Sequence, residues 1–483
     1  MSVERRELAA GLTLSRVVTG LWQVADMERG GSRLDPEAAA GAMTPYAEAG
    51  LTSFDMADHY GSAEEIAGAF RRRHGGAVEL LTKWVPRPGP IRRDDVRAAV
   101  RRALERLQAE SVDLLQFHAW SYADPSWLDA LFYLQELREE GLVRHLGLTN
   151  VDAAHLRIAV ASGIDVVSNQ VCFSLLDRRP LQGMTELCRE HGVGLLAYGT
   201  LAGGLLTERW LGRPEPAELE TWSQMKYRRF VDAAGGWDAL QAVLGVVGEV
   251  ARAAGVSMAN VACRYVLDQP AVAAVIVGAR LGESEHLEDT LRLFRFSLDE
   301  ASRAAIDEAL ARLAPIPGGC GDEYRRPPFL TASGDLSHHL DALPPPMAAE
   351  TDAAGRARVS SGTPWEELAG YCRAVRHGGR VMVSGTTATH GDRPIGGGDP
   401  AAQFHFVIDK IEGALRSLGA RLEDVVRTRV FVRRLEDWEA VARAHGERFR
   451  HVRPANTLVQ AALVGEDNLV EVEAEALVDQ PRT

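Results

Sequence analysis

The sequence predicts an α/β chain: a (β/α)8 barrel of the TIM type, followed by a smaller α+β domain. Three observations carry this. Eight short apolar runs alternate with helix-period segments up to about residue 312. No G-x-G-x-x-G follows the first run, although a doubly wound dinucleotide-binding sheet usually presents one there. From Ala314 the periodicity stops in a Pro- and Gly-rich stretch, stiffest at Pro344, Pro345 and Pro346, before new strand and helix patterns begin.

The strand-like runs cover residues 16–22, 51–55, 79–83, 112–118, 143–149, 165–170, 194–198 and 274–278. Helical periodicity between them is clearest at 94–107, 127–139 and 237–254. In the second domain, runs 372–376 and 380–384 read as strands joined by a turn at His377, Gly378 and Gly379. Residues 404–418 form an amphipathic helix, with Phe404, Val407, Ile408, Ile411, Leu415 and Leu418 on one face. A strand at 425–432, a helix at 435–449 and strands at 457–464 and 469–478 complete it. The expected units are 1–313 for the barrel, 314–358 for its tail and a linker, and 359–483 for the second domain.

Composition narrows the function classes. The 483 residues carry 67 acidic and 54 basic side chains, a formal net charge of −13, which argues against nucleic-acid or anionic-membrane partners. With 46% hydrophobic and 25% charged residues, the balance is that of an ordinary globular protein. No apolar run reaches the length of a membrane span, and the first residues lack a signal-peptide core. Cys172, Cys188, Cys263, Cys320 and Cys372 are scattered, without a C-x-x-C pair. The expectation is a cytoplasmic protein with no metal site and no disulfide framework.

Four side chains of the barrel point to chemistry. Asp55 and Tyr60 lie at or just after one strand, Lys83 ends the next and His118 the one after. The carboxyl ends of barrel strands face the site, so all four can converge. They suit carbonyl reduction, in which the developing alkoxide must be protonated. A nearby lysine cation favours the phenolate of Tyr60, Asp55 holds that lysine charged, and His118 hydrogen-bonds the oxygen or shares the proton. Trp22, Trp84, Trp120 and Tyr122, at or past strand ends, are candidates for an apolar pocket wall.

At these residues the sequence resembles the aldo-keto reductase superfamily. The signature of Asp, four residues, then Tyr-Gly matches Asp55, Tyr60 and Gly61, and the catalytic lysine and histidine match Lys83 and His118. GLTN at 147–150 resembles the family's Gly-Val-Ser-Asn. VVSNQ resembles the carboxamide-binding triplet, which implies that Ser168, Asn169 and Gln170 hold the nicotinamide. LLAYGTLAGGLLT resembles the segment around the pyrophosphate, implying Tyr198, Gly199, Leu201 and Gly203. VIVGARLGESEHLEDT resembles the segment at the adenosine end, implying Gly278, Arg280 and Ser284, the last two for a 2′-phosphate. His286 and Thr290 depart from the family's usual residues there. The cofactor implied is NADPH (NADP+), with NADH as second choice.

RVMVSGTTATHG, the amphipathic helix, LGARLEDVVRTRVFV, RPANTLVQAAL and LVEVEAEAL together resemble the Rid family of reactive-intermediate deaminases. That resemblance implies a chorismate-mutase-like fold and a homotrimer or a multiple of it. Asn456 stands where the family's carboxylate-clamping arginine would be, and Glu471 where its water-activating glutamate would be. The combined reading is NADPH-dependent reduction of a small aldehyde or ketone, or the reverse oxidation. The second module serves oligomerisation or the handling of a reactive imine or enamine. Two alternatives stand beside it: an NADP-sensing regulatory or scaffold protein, and an imine-processing enzyme with its main chemistry in the Rid-like module.

Overall fold

A hairpin opens the chain, β1 (Arg5–Ala9) and β2 (Leu12–Ser15), in a computed structural model that describes residues 3–25, 33–75, 78–282, 286–326 and 343–478. The eight strands that follow are β3 (Val17–Gly20), β4 (Ser53–Asp55), β5 (Glu79–Trp84), β6 (Val112–Phe117), β7 (Val143–Thr149), β8 (Val166–Cys172), β9 (Gly194–Tyr198) and β10 (Val272–Gly278). They close in that order into a parallel barrel, β10 pairing with β3.

Alternation along each strand sorts the side chains into two environments. Val18, Leu81, Leu114, Leu196 and Ala274 point inward and pack as a small apolar cluster with Leu12 and Leu14 of the hairpin, which plugs the amino end. Phe54, Leu115, Phe117, Leu146, Leu148, Leu195 and Val275 point outward and meet the surrounding helices in the main core. The helix Trp237–Ala254 shows how local sequence starts and stops an element. It buries Leu240, Val243, Leu244 and Val247 on one stripe, and the left-handed Gly255 ends it.

The second domain has a seven-stranded sheet. Its strands are β11 (Ala349–Thr351), β12 (Arg356–Val359), β13 (Ala374–His377), β14 (Arg380–Thr387), β17 (Val425–Val432), β18 (Ala455–Gln460) and β19 (Val470–Leu477). A two-residue ladder, β15 (Thr389–His390) with β16 (Arg393–Pro394), stands apart. The spatial order is β11-β12-β13-β14-β19-β17-β18, antiparallel except for the β17–β18 pair. Strand β11 and β12 up to Arg358 fall in the segment read from sequence as linker; they are only 3 and 4 residues long, and all of β11 is exposed. The helices Pro400–Ser417 and Trp438–Phe449 cover one face of the sheet. The other face stays open, with Met382 and Leu477 39% and 51% exposed.

The two domains meet where the helix Pro400–Ser417 lies against the barrel helix Ala153–Ala161. Polar contacts line the joint. Arg157 Nη1 donates to Asp399 Oδ2 at 2.7 Å, the Gly396 amide donates to Ser162 Oγ at 3.0 Å, and His390 Nε2 lies 2.8 Å from Asp129 Oδ2. At its centre the buried His155 sits between two carboxylates. Nδ1 is 2.7 Å from Asp152 Oδ1, and Nε2 is 3.0 Å from Asp409 Oδ2 of the second domain. Its ring stacks on Tyr122 with 3.3 Å between centroids, and Asp409 also pairs with Arg448 at 2.7 Å.

Burial opposes the charge on His155, but the two carboxylates outweigh it and hold the imidazole above its ordinary value. Asp152 and Asp409, buried yet facing cations, are held below the usual carboxylate range. The histidine's contribution to stability is complete below its unfolded value of about 6.5 and is lost as pH rises through the raised folded value. The carboxylates contribute above about 3.9 and lose their effect in acid. Asp409→Asn should therefore cost about 3–5 kcal/mol in mildly acidic solution. In urea unfolding the difference from wild type should shrink with rising pH toward the part owed to Arg448, and a difference independent of pH would contradict this account.

Candidate active site

The carboxyl end of the barrel holds a polar layer above the apolar cluster. Asp55, Lys83, Gln116 and Gln170 occupy inward positions on β4, β5, β6 and β8. Lys83 Nζ donates to Asp55 Oδ2 at 2.6 Å. Asp55 Oδ1 accepts from Gln170 Nε2 at 2.7 Å and from Gln116 Nε2 at 3.1 Å. Burial pushes the Lys83 ammonium below its ordinary value, against the pull of Asp55.

Tyr60 comes from the turn after β4, where its amide donates to the Ala57 carbonyl at 3.1 Å. Lys83 Nζ lies 5.0 Å from the centre of the Tyr60 ring, and Trp22 meets that ring edge-on at 4.9 Å. His118 follows β6, its amide bonded to the Trp84 carbonyl at 3.1 Å. Burial first, then the Arg325 guanidinium and His59, push the His118 imidazole well below its ordinary value, while a backbone hydrogen bond with Thr149 works the other way. The ring is thus neutral at physiological pH. Its Nε2 is buried and has no hydrogen-bond partner among the described residues. Asp55, Tyr60, Lys83 and His118 therefore share one end of the barrel.

The residues expected to hold a nicotinamide divide. Gln170 faces the polar layer, and Ser168, two positions earlier on the same side, points inward at Gly147, its buried Oγ without a partner among the described residues. Asn169 between them does not reach the site. It points to the helix layer, where Nδ2 donates to the Val151 carbonyl at 2.7 Å and touches Met184 Sδ at 3.7 Å. Strand alternation forces this correction, since neighbours on one strand point to opposite sides. Asn150, by contrast, faces Tyr198 at the carboxyl end of the barrel. It stands just past β7 with φ +57°, and its Oδ1 accepts from the Tyr198 hydroxyl at 2.7 Å. GLTN was the signal that could have found it.

Beyond Tyr198 the backbone bends at Gly199 and Gly203, with φ +69° and +66°. A Cβ on Gly199 would overlap the Tyr227 hydroxyl, and one on Gly203 would lie 2.9 Å from the Ser223 backbone. Leu201 stands between them, half-buried. The first turn of the helix Trp222–Ala234 lies against this bend and joins it to the neighbouring rim after β3 and β10, where Ser223 Oγ accepts from Trp22 Nε1 at 3.2 Å and from Gln23 Nε2 at 3.4 Å. On that rim Arg280, exposed just after Gly278, donates through Nε to Gln23 Oε1 at 3.4 Å. Ser284 lies outside the described residues. An extended dinucleotide suits this set: buried atoms at Ser168 and His118 without partners among the described residues, a glycine bend with no room for side chains, and an exposed cation just after β10.

The pocket wall also differs from the sequence reading. Trp22 lines it through Tyr60, and Trp120 lies edge-on to His118 at 4.6 Å. Trp84 does not. It is the outward residue next to inward Lys83 and packs on Phe117 at 5.5 Å, in the helix-facing core. Tyr122 turns to His155 instead. Two further residues reach this mouth. Tyr324, from the segment after the barrel, lies 5.5 Å from the His118 ring, and Lys226 Nζ donates to the Tyr324 hydroxyl at 2.5 Å.

In the second domain the two candidates are on opposite faces of the sheet. Asn456 pairs with Thr428, whose hydroxyl lies 2.9 Å from His445 on the helix-covered side. Glu471 pairs with Phe431 and Thr387 and stands on the open side, because Val470 and Val472 are the buried neighbours. Within one chain they do not form a site. Burial and then Glu473 raise the Glu471 carboxyl above its ordinary value, opposed by Arg373. Lys410, which donates to the Thr387 and Thr389 carbonyls at 3.0 and 2.6 Å, is pushed by burial down to about 7.

Comparison with known proteins agrees with this layout. Residues 16–311 match the Aldo/keto reductase family model, and residues 364–478 match the model described as Endoribonuclease L-PSP. The oxidoreductase YqkF of Bacillus subtilis is 30% identical over 247 residues, covering 48% of this chain and 74% of that protein. SCO2049, an uncharacterized protein of Streptomyces coelicolor, is 46% identical over 120 residues, 25% of this chain and 90% of its own length. The structure of the glycerol dehydrogenase AKR11B4 from Gluconobacter oxydans superposes with a TM-score of 0.53 at 24% identity, covering 64% of this chain and 95% of that one.

Proposed function

The chain belongs to the aldo/keto reductase family, and from that premise we propose that its barrel reduces a small aldehyde or ketone with NADPH, or runs the reverse alcohol oxidation. The observation that carries the reading is the buried Lys83–Asp55 pair at 2.6 Å, with Tyr60 above it and a neutral His118 beside it. When bound, the nicotinamide cofactor supplies the hydride. Asn150, Gln170, Tyr198 and the bend at 199–203 are the residues that would hold it, with Arg280 facing a 2′-phosphate.

The chain's own part is proton transfer. A neutral imidazole that is hard to protonate is a poor proton source at neutral pH, which leaves the Tyr60 hydroxyl as the acid. The Lys83 cation stabilises the phenolate left behind, and Asp55 keeps that cation charged against the pull of burial. His118 Nε2, buried without a protein partner among the described residues, is positioned to orient the substrate oxygen. Trp22 and Trp120 exclude water from the reacting centre.

The Rid-like domain serves assembly in this reading. Its open sheet face exposes Met382, Val459 and Leu477 beside the Glu471–Glu475 ladder, and copies of the same face closing around a three-fold axis would cover it. A further role in handling a reactive imine rests on Glu471, whose raised pKa suits proton transfer.

Tyr60→Phe should lower turnover about 10²–10⁴-fold while cofactor binding, followed by nicotinamide fluorescence, stays near wild type. Near-normal turnover would remove Tyr60 from the mechanism. Arg280→Ala should weaken NADPH by about 1.5–3 kcal/mol and NADH far less, since only NADPH carries the extra phosphate. Equal losses for the two would show that Arg280 does not read it. Light scattering of the full chain should report a trimer or a multiple of three, and a stable monomer would contradict the assembly role.

A further inference from the structure

Beyond the last barrel helix, residues 314–326 run back across the barrel mouth, and buried groups hold them there. Arg179 donates to the Gly319 carbonyl at 2.7 Å and pairs with Glu323 at 2.8 Å, while Asp177 satisfies its other side at 2.6 Å. Gly321 has φ +83°, and a Cβ there would overlap the Asn150 carbonyl oxygen, so only glycine lets the segment come this close. Arg325 follows. Its Nε donates to the Ala119 carbonyl at 2.9 Å, and its Nη1 to the carbonyls of Asn150 at 2.6 Å and Gly321 at 3.1 Å.

The two carbonyls on the barrel have a particular place. Ala119 directly follows His118, and Asn150 directly follows Thr149, the backbone partner of His118. The ladder between β6 and β7 ends at Phe117 and Leu148. Past that point no strand pairing joins the two chain segments, and the guanidinium fork spans them. The same guanidinium lies 4.5 Å above the Tyr122 ring, which stacks on His155 at the domain joint.

We propose that Arg325 is a positioning residue for the barrel's oxidoreductase site, tying the loop after His118 to the end of the strand that presents Asn150 and seating both on the domain joint. The proposal rests on reading the barrel mouth as a reductase site. A planar fork with several donors in fixed directions holds two carbonyls at once, which an ammonium does not. The fork is also a fixed cation beside His118. Of the groups facing that imidazole, Arg325, His59 and Lys226 oppose its protonation, and the Thr149 carbonyl favours it. Arg325 therefore helps keep the imidazole neutral, which leaves proton donation to Tyr60.

Two variants of the full-length chain separate the effects. Arg325→Met keeps the aliphatic stem over Tyr122 but removes the charge and the fork; Arg325→Lys keeps the charge alone. With 4-nitrobenzaldehyde as probe and either nicotinamide cofactor, Arg325→Met should lose about tenfold to a hundredfold in kcat, since small displacements of catalytic groups cost that much. In a histidine NMR titration its His118 signal should move to higher pH. Arg325→Lys should lose kcat while its His118 titration stays near wild type. Wild-type kcat together with an unmoved His118 titration in Arg325→Met would overturn the proposal. If Arg325→Met does not fold, wild-type kcat in Arg325→Lys overturns it. If the wild-type protein turns over neither cofactor, the reductase reading fails by itself, and the His118 titration alone decides the role of Arg325.

Discussion

The carboxylate of Asp55 is the constraint around which the barrel mouth is built. It is 3% exposed, and a charge so deeply buried persists only with a cation and donors around it. Lys83 supplies the cation, and Gln116 and Gln170 supply donors from two further strands. Each must sit on the inward side of its strand, so the requirement of one carboxylate fixes the facing of β5, β6 and β8. It also places the ammonium under the Tyr60 ring. The catalytic arrangement and the polar packing of the barrel are thus one network.

A second set of buried ions holds the peripheral parts against that network. Arg179, between Asp177 and Glu323, pins the segment after the barrel, and His155, between Asp152 and Asp409, pins the second domain. In both cases the ion's partners come from parts of the chain far apart in sequence. Buried pairs of this kind contribute little net stability when intact but cost several kcal/mol when one partner is lost. Their effect is to penalise every arrangement in which the segment or the domain is misplaced. Tyr324 reaches the His118 ring because the segment that carries it is held in this way.

The C-terminal sheet shows a similar division between what is covered and what is open. Alternation on β19 buries Val470, Val472, Ala474 and Ala476 under the helices and turns Glu471, Glu473 and Glu475 outward. Arg429 and Arg380 cross-link these carboxylates on the open face. These opposite charges, paired across neighbouring strands, offset the repulsion among the three carboxylates. Asn456, one strand beyond β17, is exposed on the side of Thr428 and so faces away from the surface that carries Glu471.

Much of this was legible in the sequence because it is local. Strands such as Val143–Thr149, Gly194–Tyr198 and Val425–Val432 and the helix Trp237–Ala254 follow from apolar periodicity, and Asp55, Lys83 and His118 from their positions at strand ends. Very short elements hold too few residues to establish a period: the hairpin Arg5–Ala9 with Leu12–Ser15, and the strands Ala349–Thr351 and Arg356–Val359. Which way a side chain points was decided only by tertiary structure. Asn169 and Trp84 sit beside correctly placed residues yet face the helices, because a shift of one position along a strand reverses the side. Arg325, Tyr324, Lys226 and the His155 joint join segments 98 to 254 residues apart, the last across the two domains. Long-range contacts of that kind leave no period or spacing in a chain, so only the closed fold brings them together.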